Sequence, residues 1–347
     1  MARSVNYIAC TSLLNEDPVF PHAMASEYDE EYANKPTTIT EDTAHYVSDT
    51  STNSDLTIDI SSSFIVTDGT CTDFFEDYDL YPTILGTGGY AVVHECRRRQ
   101  STDGETYAVK IIDKSKIGRL DHIQREISLL RTIDHPGIMK IVDFYENSNY
   151  VFIVTERYTG GELFDMIIDN TTVNGCLPED QAVKIIKSLL ESVAYLHSHD
   201  IVHRDIKPEN ILLESKEEGA SVKLIDFGLS RHHRKSDPPM TNRVGTTTYM
   251  SPSILRGQYD RSCDLWSVGI VSYILLTGYP PFGSSDMEVR SQVRRGLVFE
   301  DAVWGHLSKA SRDFVSQLLC MEPGKERIRS AEGALGHPWI TIWDQLR

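Results

Sequence analysis

One glycine cluster narrows the folds open to this chain more than any other feature. Residues 86–93 read Gly86-Thr87-Gly88-Gly89-Tyr90-Ala91-Val92-Val93. Glycines lack a Cβ, so a backbone rich in them can approach a phosphate chain closely and aim N–H groups at it. Dinucleotide-binding βαβ units use a similar spacing, but there a helix must start directly after the glycines. Here a β-branched run follows, which places the glycines between two strands, residues 78–86 and 90–97. That pattern excludes a doubly wound oxidoreductase. A plain hairpin turn and a phosphate-covering one both stay open.

The residues that follow extend the sheet. Residues 106–113 (TYAVKIID) alternate with period two, and 138–146 with 150–156 form a hairpin pair around Asn147-Ser148-Asn149. Between them, 120–132 have a helical period that puts Ile123, Ile127 and Leu130 on one face. The expectation is a small, mostly antiparallel five-stranded lobe with one main helix. After Gly160-Gly161 the pattern turns helical. Residues 180–199 align Val183, Ile186, Leu190, Val193, Leu196 and His197 in one stripe behind a Pro178-Glu179-Asp180 start. Short strands at 211–213 and 222–225 precede helices at 264–277, 287–295, 311–319 and 331–335. The fold class is α+β, a bilobal arrangement with a larger helical second lobe.

Charge sets the first segment apart. Residues 1–76 hold 2 Lys/Arg against 14 Asp/Glu, a net −12 of the chain's −17. Low hydrophobicity with such charge cannot offset the entropy of ordering. Residues 1–77 therefore read as an acidic, disordered tail, 78–339 as the folded domain and 340–347 as a short extension. Apolar islands at 8–14, 64–66 and 74–75 interrupt the tail and read as solvated rather than as docking points. The acidity argues against non-specific nucleic-acid or anionic-membrane binding. No apolar run reaches the ~18 residues of a membrane span. The six cysteines are scattered without a CxxC pair, so neither a zinc site nor a disulfide framework is indicated. A monomer in the cytoplasm or nucleus is the expectation.

Three further motifs carry chemistry. Ala108-Val109-Lys110 lies in the third strand, and an inward Lys there needs a counter-charge; Glu126, mid-helix, offers one. His203-Arg204-Asp205-Ile206-Lys207-Pro208-Glu209-Asn210 is followed by Asp226-Phe227-Gly228. Oxygen ligands on Asp205, Asn210 and Asp226 suit Mg²⁺ and a nucleophilic hydroxyl. The Gly-rich loop, strand Lys, helix Glu, HRDIKPEN and DFG, in that order, resemble the protein kinase family. The resemblance covers about 78–339. GGELFD, HRDIKPENILL, DLWSVGIVSYILLTGYPPF and ALGHPW are similar to the calcium/calmodulin-dependent group of Ser/Thr kinases.

What the resemblance implies is specific. Gly86, Thr87, Gly88, Gly89, Tyr90, Ala91 and the loop through Val93 cover the ATP phosphates. Lys110, held by Glu126, reaches the α/β-phosphates. Asp205 accepts the substrate hydroxyl proton, Lys207 steadies the γ-phosphate, and Asn210 and Asp226 hold Mg²⁺. Val93, Ala108 and Leu212 sandwich adenine, its edge bonds the backbone near Glu156 and Tyr158, and Thr155 lines the back of the pocket. Leu130, Ile141, His203 and Phe227 form a stacked spine anchored by Asp264. Thr246 bonds Asp205 and Lys207. Glu162 and Glu209 favour protein substrates with an Arg three residues before the Ser/Thr acceptor.

The sequence also departs from the family pattern. The third loop glycine is Ala91. The family's A-P-E is Ser251-Pro252-Ser253, which leaves Arg327 without its usual carboxylate partner. Arg204 implies a phosphate-receiving pocket in the activation segment, 226–253. Thr241 is the candidate phosphosite, for an upstream kinase; a segment that needs no phosphate is the alternative. The acidic tail could act on the basic run Arg231–Lys235 through charge. Only eight residues follow Trp339 and no D-x-[DN]-x-[DN]-G loop is present, so a calmodulin-binding helix and a calcium loop are not expected here. The rival to catalysis is a pseudokinase scaffold that binds partners without transferring phosphate.

Overall fold

Strand β3 (Tyr107–Asp113) shows how the small lobe is built. Successive side chains alternate between the sheet faces, so Ala108, Lys110 and Ile112 share one face while Val109 and Ile111 share the other. In the computed structural model, which describes residues 74–87, 91–101, 104–117, 121–217, 219–320 and 327–345, β3 is the centre of a five-stranded sheet. Its other strands are β1 (Tyr78–Thr87), β2 (Ala91–Arg98), β4 (Ile141–Glu146) and β5 (Tyr150–Glu156), ordered β1-β2-β3-β5-β4 with every pair antiparallel. Two helices belong to this lobe, α1 (Phe74–Asp77) and α2 (Asp121–Leu130).

Phe74, four residues before the boundary read from the sequence, is already part of the packed structure. Phe74 is 1% exposed and stacks on Phe152 at 4.8 Å and on Tyr78 at 5.4 Å. It caps an apolar cluster of Tyr78, Cys96, Val109, Phe152 and Val154, all strand residues on one sheet face. Of the three apolar islands, this one is core. The other two, and the acidic segment with its electrostatic role, lie outside the described residues.

In the large lobe α3 (Leu163–Asn174) follows β6 (Gly161–Glu162), and α4 (Glu179–Ser198) packs on α6 (Ser262–Thr277). Nearly every residue of α6 is buried, consistent with its all-round apolar sequence, and it forms the centre of the main core. Short strands β7 (Ile201–Val202), β8 (Ile211–Leu213), β9 (Val222–Leu224) and β10 (Arg231–His232) carry the loops described below. Helices α5 (Pro252–Leu255), α7 (Asp286–Arg295), α8 (Asp301–Trp304), α9 (Lys309–Leu318), α10 (Ala331–Leu335) and α11 (Pro338–Gln345) complete the lobe. Helix α11 runs into the segment read as an extension, and Ile340 is 1% exposed in the main core, so the folded domain extends past 339. No described helix is long and apolar enough to cross a membrane.

Candidate active site

The site lies where the two lobes meet. From the small lobe, β3 register sets Lys110 opposite Val93 of β2 and Ile153 of β5. Lys110 Nζ is 3.9 Å from Glu126 Oε1, on the buried side of α2. Burial pushes the Glu126 carboxyl up, the Asp226 charge adds to this, and Lys110 and the Phe227 N–H oppose it. Glu126 thus links the strand lysine to the start of the activation segment. Gly86 and Thr87 end β1 opposite Val93 and Val92, and Ala91 opens β2. Gly88, Gly89 and Tyr90 lie outside the described residues.

A second apolar cluster, separate from the cores of both lobes, joins Val93, Ala108 and Leu212 with Tyr158 and Ile225. Leu85 and Met139 pack against it. Of these, Ile225, Leu85 and Met139 were not singled out from the sequence as site residues. Thr155 is buried nearby and its hydroxyl donates to the Glu156 carbonyl at 3.1 Å. The Tyr158 hydroxyl donates to Glu156 Oε2 at 3.0 Å.

The large lobe contributes the polar centre. Arg204 and Asp226 have φ of +71° and +59°, conformations that cost about 1–3 kcal/mol each and cluster at functional sites. Asp264, fully buried, fixes this loop by accepting the His203 N–H at 3.0 Å and the Arg204 N–H at 2.8 Å. His197 Nε2 meets the same carboxylate at 2.9 Å. The sequence placed His197 in an apolar stripe; its ring is the buried partner of Asp264. The His203 ring contacts Phe227 edge-on at 4.8 Å, and Leu130 and Phe227 share the main core, with Ile141 packed against it.

Asp205 is gripped from two sides. Its Oδ1 accepts the Thr246 N–H and the Thr246 hydroxyl, each at 3.0 Å. Lys207 Nζ lies 3.2 Å from Asp205 Oδ2 and donates to the Thr246 hydroxyl at 2.9 Å. Gly245 precedes Thr246 with φ +104°, and a Cβ there would sit 2.6 Å from the Arg204 carbonyl, so only glycine permits the clamp. Asn210 donates from Nδ2 to the Asp205 carbonyl at 2.8 Å and to Asp205 Oδ2 at 3.1 Å. That leaves Asn210 Oδ1 buried with no hydrogen-bond partner. A buried, unpaired amide oxygen of this kind fits a hard divalent cation.

A known family model covers most of the chain that forms this site. The model of the protein kinase domain aligns with residues 81–340. This chain belongs to the protein kinase domain family. It is 41% identical over 265 residues to calcium-dependent protein kinase 4 of Plasmodium falciparum, covering 75% of this chain and 48% of that relative. It is 36% identical over 270 residues to calcium/calmodulin-dependent protein kinase type 1 of Macrobrachium nipponense, covering 77% of this chain and 76% of the relative. The chain spans about half the length of the Plasmodium kinases it matches.

Within this kinase domain, the two acidic residues expected from the sequence to meet a substrate Arg are neighbours in the fold. Glu162 pairs with Leu212 through β6 and β8, and Glu209 sits on the 3-10 turn that leads into β8. Neither is fully exposed, and Glu209 Oε2 is buried without a hydrogen-bond partner. Burial pushes the Glu209 carboxyl up, only partly offset by its own backbone N–H and Lys207. In place of the family's A-P-E glutamate, the Ser253 hydroxyl pairs with Ser251 at 2.7 Å, and Arg327 Nε is buried without a partner.

Proposed function

We propose that this chain is an ATP-dependent protein serine/threonine kinase. The observation that carries the reading is the clamp on Asp205. Two Thr246 groups fix its Oδ1, and Lys207 stands against both residues. A carboxylate oriented in this way can accept a proton from an incoming hydroxyl as that oxygen attacks the γ-phosphorus. The bond to the β–γ bridging oxygen breaks, ADP leaves, and the substrate keeps the phosphoryl group. Lys207 neutralises charge on the phosphoryl oxygens, and Lys110, oriented by Glu126, holds the α/β-phosphates. The Val93, Ala108 and Leu212 cluster receives the purine, with Gly86, Thr87 and the following loop over the phosphates. Asn210 and Asp226 are the residues for a divalent cation, Mg²⁺ by the hardness of their oxygens, which screens the phosphate chain when bound.

Glu162 and the buried oxygen of Glu209 support a basophilic preference, for an Arg three residues before the acceptor, because a desolvated carboxylate gains most from a guanidinium. The test is phosphate transfer from Mg·ATP to an Arg-x-x-Ser peptide and to its Ala-x-x-Ser counterpart, with Asp205→Asn alongside. Transfer by the wild type that Asp205→Asn loses is the expected result. ATP binding with no transfer from either protein would assign the chain to the scaffold reading, which the Ser253 departure favours.

A further inference from the structure

The activation segment is held by a residue outside every motif named above. Arg204 Nε donates to the Leu229 carbonyl at 2.6 Å, and its Nη1 donates to the Tyr259 hydroxyl at 3.1 Å. That hydroxyl in turn donates to the Asn242 carbonyl at 2.7 Å. The Tyr259 backbone pairs with Met240 in both directions, N to O at 3.0 Å and O to N at 2.8 Å. Tyr259 and Met240 are each 3% exposed. One buried tyrosine therefore grips the segment at 240 and 242, directly ahead of Gly245 and the Thr246 that holds Asp205.

The acceptors of the Arg204 side chain are a carbonyl and a hydroxyl, both neutral. Among the described residues no anion stands between the guanidinium and the segment. A buried phenol needs a hydrogen-bond partner, and this one has an acceptor on the segment and a donor on Arg204. Burial pushes the Tyr259 phenol up, with Arg204 opposing, so the hydroxyl keeps the proton it donates to Asn242. The Thr241 side chain is exposed beside this tether rather than built into it.

We propose that Tyr259 is a positioning residue that couples Arg204 to the Asn242 backbone and holds the activation segment in its substrate-receiving form with no phosphate on it. The proposal rests on the kinase reading above and decides between the two alternatives for Thr241 in favour of an unphosphorylated segment.

The experiment uses the full chain after phosphatase treatment, with intact mass confirming that no phosphate is left. Wild type, Thr241→Ala, Tyr259→Phe and Arg204→Lys are compared by hydrogen exchange over 240–246 and by peptide and ATP kinetics. Dephosphorylated wild type and Thr241→Ala should match untreated enzyme. Tyr259→Phe should exchange about tenfold faster over 240–246, the effect of one lost buried partner. Its peptide kcat/KM should fall by about as much, with KM for ATP and exchange in α4 unchanged; a merely structural role would move all of these together. Arg204→Lys, which cannot reach both acceptors, should show the same local exchange. Loss of transfer on dephosphorylation, or wild-type exchange over 240–246 in both variants, would overturn the proposal. Should no protein bind ATP or transfer phosphate, the kinase reading fails, and the exchange arm still decides the tether.

Discussion

Replacing Phe74 by Ala tests whether the small lobe depends on residues ahead of its first strand. The ring is 1% exposed, lies between Phe152 at 4.8 Å and Tyr78 at 5.4 Å, and meets Tyr145 edge-on at 5.8 Å. Truncating a buried Phe to Ala costs about 3–5 kcal/mol through lost transfer energy and the cavity left behind. For a domain of this size, about 2–4 °C of melting temperature accompanies each kcal/mol, so a fall of roughly 10 °C is expected. Phe75, at 45% exposure, is the control; Phe75→Ala should cost about 1 kcal/mol or less. The assay is thermal unfolding of the full chain, followed by intrinsic fluorescence and repeated with saturating ATP. A chain begun at Tyr78 should lose as much as Phe74→Ala, because it lacks the same ring. A Phe74→Ala melting temperature within about 2 °C of wild type, or a larger loss for Phe75→Ala, would refute the packing argument.

Other predictions concern the site. Asp205→Asn should lower transfer by about 10²–10⁴-fold, the usual contribution of a general base, while ATP affinity measured by calorimetry stays within about twofold. Glu209→Gln should raise KM about tenfold for an Arg-x-x-Ser peptide and leave the Ala-x-x-Ser peptide unchanged, as expected for one lost charge-assisted contact. Because burial raises the Glu209 carboxyl, protonation starts above the ordinary carboxylate range. KM for the Arg peptide should therefore climb on acidification, and a pH series should show that limb flattened in Glu209→Gln. For Asp264, burial would raise the carboxyl, but His197, His203 and the Arg204 N–H outweigh it and hold it below its ordinary value. Such a group stabilises the fold above its unfolded value, and that stability is lost as pH falls through the folded one. Asp264→Asn should therefore lower stability at neutral pH and shrink the difference from wild type in acid, read from urea unfolding at several pH values.

Much of this architecture is legible in one dimension because its signals are local. Strand alternation in residues 106–113 sets Lys110 and Val109 on opposite faces wherever the strand is placed, since the side-chain period of a strand is two. The glycine hairpin ahead of a β-branched run, and the short spacing within HRDIKPEN, likewise need no tertiary knowledge. Thr246 is legible through the family resemblance, yet the reason for the glycine before it, an Arg204 carbonyl 2.6 Å from any Cβ at Gly245, exists only in the folded chain.

By itself, then, the sequence determined the order and periodicity of the elements and which polar side chains could serve phosphate chemistry. Tertiary structure decided which apolar residues are core and which polar atoms are left without partners. Phe74 reads as one ring in an acidic run until an aromatic sheet face 78 residues along, at Phe152, gives it somewhere to go. His197 reads as part of an apolar stripe until α6 brings Asp264 to it, 67 residues away in sequence. Tyr259 belongs to none of the sequence motifs until the fold sets it between Arg204 and Asn242. Burial and hydrogen-bond partnership depend on contacts between residues far apart in the chain, and periodicity contains no information about those contacts.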